Sequence, residues 1–150
     1  MPIGERWVRS HPELPSILKD FLDSLKPGDY LGLNAFLSPS AENRHALQEM
    51  RCFLLDRFHV VTTLGFGPRY LHSTGQIHKG GPAHCSFVQI TSDDAEELPI
   101  PGKPYSFGVL KSAQALGDYQ ALKDKGRRII RIHLASESDL TKLVAVFEAI

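Results

Sequence analysis

A three-layer α/β sandwich, with a mostly parallel sheet of about four or five strands between its helices, is the fold this sequence predicts. Three observations lead there. Short apolar or β-branched runs alternate with longer stretches whose apolar residues recur every three or four positions, the order expected when crossover helices join parallel strands. The best strand-like runs are apolar almost throughout, as in strands covered on both faces. The length, 150 residues, suits one domain around one core.

The elements follow in order. Residues 1 to 11 read as an irregular lead-in, and residues 12 to 150 as a single domain. Pro15 opens a helical pattern in which Ile17, Leu18, Phe21, Leu22 and Leu25 share a face, and Pro27-Gly28 ends it. Tyr30 to Leu37 (YLGLNAFL) is short and apolar, a strand buried on both faces. Ser38-Pro39-Ser40 supplies a helix start, and Leu47, Met50, Leu54 and Phe58 form the stripe of the helix that follows. His59 to Leu64 reads as a β-branched strand. A third strand, His84 to Thr91, comes after a long connector. The polar, proline-rich SDDAEELPIPGKP is a loop, and Ser106 caps a helix with Phe107, Leu110 and Ala113 on one face. Gly117-Asp118 is expected to break or bend it before Gly126 stops it. Arg128 to Leu134 alternates, as an edge strand does. Ser136-x-x-Asp139 resembles a capping box for a last helix carrying Leu140, Leu143, Val144, Phe147 and Ile150.

Composition narrows the function. With 42% hydrophobic and 23% charged residues the chain is globular in character. Lys+Arg equals Asp+Glu at 17 each, so no global field attracts nucleic acid or an anionic membrane. Cys52 and Cys85 lie in apolar runs without Cys-x-x-Cys spacing and read as small buried hydrophobes. The opening MPIGERWVRS has no apolar signal core, and no apolar run approaches a bilayer span. A cytoplasmic protein with reduced thiols is expected.

The chemistry is expected between Gly65 and Ala83, GFGPRYLHSTGQIHKGGPA. These 19 residues exceed what packing two strands requires, and connectors of that length are usually functional or disordered. Phe66, Tyr70, Leu71 and Ile77 are apolar enough to pack, which argues against disorder. Parallel sheets collect ligands outside the carboxyl ends of their strands, where this segment starts. Pro68 can open a short helix, and Gly65 and Gly67 would let backbone N–H groups approach an anion. Arg69, His72, Gln76 and the pair His78-Lys79 then crowd together, before Gly80-Gly81-Pro82 forces a turn. Taken singly, each residue also has a structural explanation. His72 and His78 can be histidines bonded to backbone, Lys79 a solvated lysine, and Arg69 the partner of a structural carboxylate.

Histidines 72, 78 and 84 recur every six residues with Cys85 alongside, but this matches neither a helical histidine pair nor a zinc-finger spacing. No metal is expected. No G-x-S-x-G elbow or activated cysteine points to nucleophilic catalysis.

Three runs, GFGPRYLHSTGQIHKGGP, PIPGKPYSFGVLKSAQALGDYQAL and RRIIRIHL, resemble the isomerase part of bacterial bifunctional transaldolase/phosphoglucose isomerases. The similarity extends from about Pro27 to the C-terminus. HKGGPA…SFVQI followed by PYSFGVL also resembles the Gly-Gly-x-Pro-Asn strand and Phe-Gly helix start of single-function phosphoglucose isomerases. The resemblance implies a sugar-isomerase fold, a parallel sheet sandwiched by helices with two such subdomains per isomerase, and a homo-oligomer, a dimer, with the site between subdomains and subunits. It implies interconversion of glucose 6-phosphate and fructose 6-phosphate through an enediol(ate), without a metal or organic cofactor. On this basis His72 is the first candidate for opening the sugar ring and His78 the competing one. Lys79 is the candidate cation near the ring oxygen or enediolate, and Gln76 the hydroxyl-orienting amide. Arg69, Ser73, Thr74, Gly80 and Gly81 complete the expected sugar-phosphate site.

Two features depart from that pattern. The stretch ASESDLTKLVAVF offers only Lys142 where single-function isomerases carry a lysine within a Gln-containing motif. The family's catalytic glutamate comes from the preceding subdomain, so the implied partner is a second isomerase subdomain or the transaldolase domain. Glu96 and Glu97 read as solvated acids. The rival expectation is a non-catalytic module that binds or senses a sugar phosphate, and a third is a purely structural dimerisation domain.

Overall fold

The structure, a computed structural model, describes residues 12–150; the expected lead-in lies outside them. Four strands, β1 (Tyr30–Phe36), β2 (Val61–Phe66), β3 (Cys85–Ser92) and β4 (Arg128–Leu134), form one sheet in the order β2-β1-β3-β4. Every pairing is parallel. β1 is buried from Leu31 to Phe36 and β3 along its whole length, whereas β4 closes one edge with Arg131 and His133 exposed.

The helices divide between the two faces because side chains alternate along each strand. Leu31, Leu33 and Ala35 of β1, with Val88 and Ile90 of β3 and Ile132 and Leu134 of β4, meet α1 (Leu14–Asp23), α2 (Ala41–Phe58) and α5 (Leu140–Glu148). Leu18 and Leu22 of α1, Leu47, Met50 and Leu54 of α2, and Leu143 and Phe147 of α5 are fully buried there. Each such side chain contributes roughly 1.5–3 kcal/mol of burial. The opposite face carries Tyr30 and Phe36 of β1 and Cys85, Phe87 and Gln89 of β3. It is covered by a short 3-10 helix (Arg69–His72), α3 (Thr74–Gly80) and α4 (Phe107–Asp124). The result is the expected three-layer sandwich.

Several local expectations need correction. Gly117-Asp118 does not interrupt α4, which runs unbroken for 18 residues; Gly117 is exposed with nothing near the position a Cβ would take, so it costs helix propensity and no packing. The α4 stripe of Phe107, Leu110 and Ala113 does not face the core. Phe107 is 54% and Leu110 39% exposed, while Ala115, Asp118 and Leu122 are the buried positions. Ser136 caps a 3-10 turn (Glu137–Asp139) by accepting from the Ser138 N–H, and α5 begins only afterwards at Leu140. β2 continues past Leu64 to Phe66, because Gly65 and Phe66 still pair with Asn34 and Ala35. Ser40 and Ser106 cap α2 and α4 as their sequences indicate.

Candidate functional site

The connector crosses the sheet from its carboxyl edge to its amino edge, and that decides where its side chains go. It leaves the carboxyl end of β2 after Phe66 and returns to the amino end of β3 at Cys85. Gly65 and Gly67 admit neighbours and do not present an anion cradle. A Cβ on Gly67 would stand 2.5 Å from the Phe36 ring, and one on Gly65 would stand 3.0 Å from Tyr70 Cβ. The Gly67 N–H is already donated to the Ala35 carbonyl at 2.8 Å. The expected use of these glycines for phosphate binding is therefore replaced by packing.

The inner face of the connector is anchored by a buried charge. Asp118 projects from the middle of α4 with its side chain 1% exposed. Tyr70 donates its hydroxyl to Asp118 Oδ2 at 2.5 Å, and the Lys79 ammonium lies 2.5 Å from Oδ1. Desolvation and the adjoining Asp118 charge both push the Tyr70 phenol up from its ordinary value, so Tyr70 remains a hydrogen-bond donor. A carboxylate this deeply buried requires partners, and a phenol from one end of the connector and an ammonium from the other supply them. Gln89 beneath them donates Nε2 to the Ala115 carbonyl at 2.9 Å, tying β3 to α4.

His78 is also turned inward. It is 4% exposed, with its ring centroid 4.7 Å from Phe87 and 6.0 Å from both Tyr30 and Tyr70. Desolvation pushes its imidazole below the ordinary histidine range, with Asp118 pulling the other way and Lys79 reinforcing the fall. Arg127, just before β4, closes this end by donating to the carbonyls of His78, Lys79 and Gly81 at 3.1, 3.2 and 2.7 Å. These are the acceptors that the C-terminus of α3 leaves free. A Cβ on Gly81 would lie 2.5 Å from the Ile77 carbonyl oxygen, so the second glycine of Gly80-Gly81 is required by close packing.

The outer face is different. Arg69, His72, Ser73, Thr74 and Gln76 are all exposed. Ser73 donates its hydroxyl to the Tyr70 carbonyl at 3.2 Å and Gln76 its amide to the Leu71 carbonyl at 2.8 Å. Among the described residues, the side chains of Arg69 and His72 form no hydrogen bond or ion pair. His72 is an imidazole on a rigidly anchored segment, facing outward near the carboxyl edge. Six residues separate it from Lys79, across the non-helical Ser73 that divides the 3-10 helix from α3. The structure thus leaves Arg69, His72, Ser73, Thr74 and Gln76 exposed and turns His78 and Lys79 toward Asp118, with exposed Gly80 and half-buried Gly81 at the end of α3.

Metal chemistry finds no donor set, since no three His, Cys, Asp or Glu side chains cluster among the described residues. His84 is exposed at the amino end of β3, 4.0 Å from Asp29, and is separated from buried His78. Cys85 is 1% exposed and burial pushes its thiol up, away from the reactive thiolate. The carboxyl edge carries acids with defined partners. Glu137 accepts from the Ser38 N–H at 2.6 Å and Asn43 Nδ2 at 2.9 Å, His133 Nε2 lies 3.1 Å from Asp93, and Asp94 pairs with Lys111.

Sequence reasoning missed Asp118, Tyr70 and Arg127. Asp118 had a signal: it stands between Ala115 and Leu122 at helical spacing, a charge on what proves to be the buried stripe. Arg127 had none, because nothing local to it indicates which helix end it will meet.

No family model matches the chain, and no curated protein matches it. Its fold is similar to the crystal structure of a hypothetical protein from Thermus thermophilus, with a TM-score of 0.72 at 15% identity over 91% of this chain. The chain spans 37% of that protein's length. This likeness shows the fold. No helix among the described residues is long and apolar enough to cross a membrane.

Proposed function

We propose that this chain is a sugar-phosphate isomerase subdomain of the phosphoglucose isomerase type, acting on glucose 6-phosphate and fructose 6-phosphate together with a second subdomain. The observation that carries the proposal is His72: exposed and free of intramolecular side-chain partners among the described residues, on a connector whose other face is anchored by Tyr70, Lys79 and Asp118. Ring opening needs an acid/base group with access to the ring oxygen, and an accessible imidazole on a fixed backbone offers one. Arg69 supplies an exposed cation for the phosphate, and Ser73, Thr74 and Gln76 offer hydroxyl and amide contacts. Lys79 takes a positioning role through Asp118, so the charge that develops on the enediolate oxygen calls for a cation from elsewhere. The resemblance of the HSTGQIHKGGP and SFGVLKSAQALGD segments to the isomerase part of the bifunctional proteins supplies the choice of substrate.

A second reading, a module that binds a sugar phosphate without turning it over, is favoured by one observation. No carboxylate among the described residues forms a hydrogen bond or ion pair with His72, and enediol formation requires a base for the carbon-bound proton. Calorimetric titration of the purified chain with fructose 6-phosphate and with a hydroxamate mimic of the enediolate, beside a coupled isomerase assay, separates the cases. Binding with turnover establishes an isomerase complete through self-association. Binding without turnover establishes a half-site or a sensor, and the absence of binding to the chain and to any self-assembled form removes the sensor and any site complete on this chain.

A further inference from the structure

A cleft of about 470 Å³ opens at the carboxyl edge beside the start of the connector, lined among others by Pro68, Asp94, Phe107, Lys111 and Gln114. Its volume is in the range of small-molecule sites. Asp94 forms an ion pair with Lys111, one turn into α4, and the two side chains are 35% and 21% exposed. Gly108 makes that placement possible: a Cβ there would stand 2.7 Å from Asp94 Oδ2. The glycine following Phe107 thus brings the carboxylate against the first turn of α4, where the helix dipole favours negative charge. With Oδ1 held by Lys111, Oδ2 receives no donor among the described residues. Gln114 is half-buried with no side-chain hydrogen bond among them, and Phe107 is 54% exposed beside it.

We propose that this cleft is the sugar-ring subsite, in which Asp94 and Gln114 receive neighbouring hydroxyls and Phe107 packs against the C–H face of the ring. The chemistry selects this ligand class. A fixed carboxylate accepts from hydroxyl donors, a free amide both donates and accepts, and an exposed aromatic ring covers the apolar face of a polyol. An anionic group alone would be repelled by Asp94 and the adjoining Glu96, so the phosphate lies outside, toward Arg69, the residue after Pro68. The exposed α4 stripe of Phe107 and Leu110, which the core does not use, is then the wall of a site. The choice of a hexose phosphate as ligand rests on the isomerase proposal; the polyol chemistry of the cleft does not.

The test is a ¹⁵N–¹H correlation titration of the full chain with fructose 6-phosphate and, separately, with the neutral hexitol glucitol. Shifts are expected at the Gly108 and Lys111 amides and the Gln114 side-chain amide. Affinity for fructose 6-phosphate should fall at least about tenfold in Asp94→Asn and in Phe107→Ala. Phe107→Ala removes an exposed ring, so a misfolded variant does not obscure its result. Fructose 6-phosphate binding that is equally tight in both variants, with shifts confined to the segment around His72, overturns the cleft and leaves the isomerase proposal standing. Cleft shifts with glucitol, in a chain that shows no preference for the phosphorylated sugar, uphold the cleft and count against a hexose phosphate as its ligand. If neither ligand perturbs the cleft, the subsite is refuted.

Discussion

The two edges of the sheet use similar residue types for opposite purposes. At the amino edge the charges are spent on one another: Arg128 pairs with Asp29 and donates to Ser24 Oγ, and Arg127 clamps the end of α3. Burial alone would raise Asp29, but the Lys26 N–H and the Arg128 guanidinium outweigh it and hold the carboxyl below its usual range. The Lys79–Asp118 pair extends the same closed arrangement under the connector. At the carboxyl edge the loops open into clefts, and Arg69, His72 and Gln114 have no side-chain partners among the described residues. Glu137 and Asp94 at this edge are also paired, but Arg69, His72 and Gln114 stay accessible, as the proposed site requires.

The largest effect that would break this contrast is at Asp118. Replacing it with Ala leaves the Lys79 ammonium and Tyr70 hydroxyl without their shared acceptor. Because the Lys79 side chain keeps 25% exposure, the expected loss is about 3 kcal/mol in urea unfolding, the lower end for breaking a buried pair. A loss under about 1 kcal/mol would place the pair among solvated surface interactions. Next is Arg127→Ala, which removes three contacts to carbonyls of the α3 terminus. A cost of about 1–3 kcal/mol is expected, with faster amide exchange in α3; unchanged exchange would deny the clamp.

A pH titration sharpens the same contrast. Burial holds the His78 imidazole below its ordinary value, whereas the unfolded chain's histidine takes its proton near pH ~6.5. Below that pH the unfolded state binds more protons than the native one. Stability contributed by neutral His78 is therefore complete above pH ~6.5 and declines as the pH falls toward the lowered native value, by at most about 1.4 kcal/mol per pH unit. His78→Gln should flatten this slope, and an unaltered slope would assign it to other groups. The smallest effect is on the open side, where His72→Ala should change stability by no more than about 0.5 kcal/mol.

Most of the architecture was legible in the residues. The runs Tyr30 to Leu37 and His84 to Thr91 announced central strands because burial on both faces favours apolar residues, with Asn34, Ser86 and Gln89 the buried polar exceptions. Arg128 to Leu134 alternated because an edge strand keeps one face wet. Capping serines marked two helix starts because the cap is a local bond. What could not be read was which face of α4 turns inward. Phe107 and Leu110 carry the more apolar stripe, yet the buried one contains Asp118, a choice made by Tyr70 and Lys79 some 40 residues away. The candidate site was legible as a segment and not as a geometry. Its polar residues sit together in sequence, but the 3-10 helix leaves His72 outward and α3 turns His78 inward. Asp94 and Gly108 form their contact only after the loop between them folds back.

The most direct test of the central claim is calorimetric titration of the hydroxamate mimic into two variants whose urea midpoints are measured in parallel. His72→Ala is expected to lose at least about tenfold in affinity with its midpoint unmoved, while Lys79→Met lowers the midpoint and binds within about threefold of the parent chain. A Lys79→Met variant that keeps its stability and loses binding, beside a His72→Ala variant that binds normally, would contradict the division between a closed amino edge and a functional carboxyl edge.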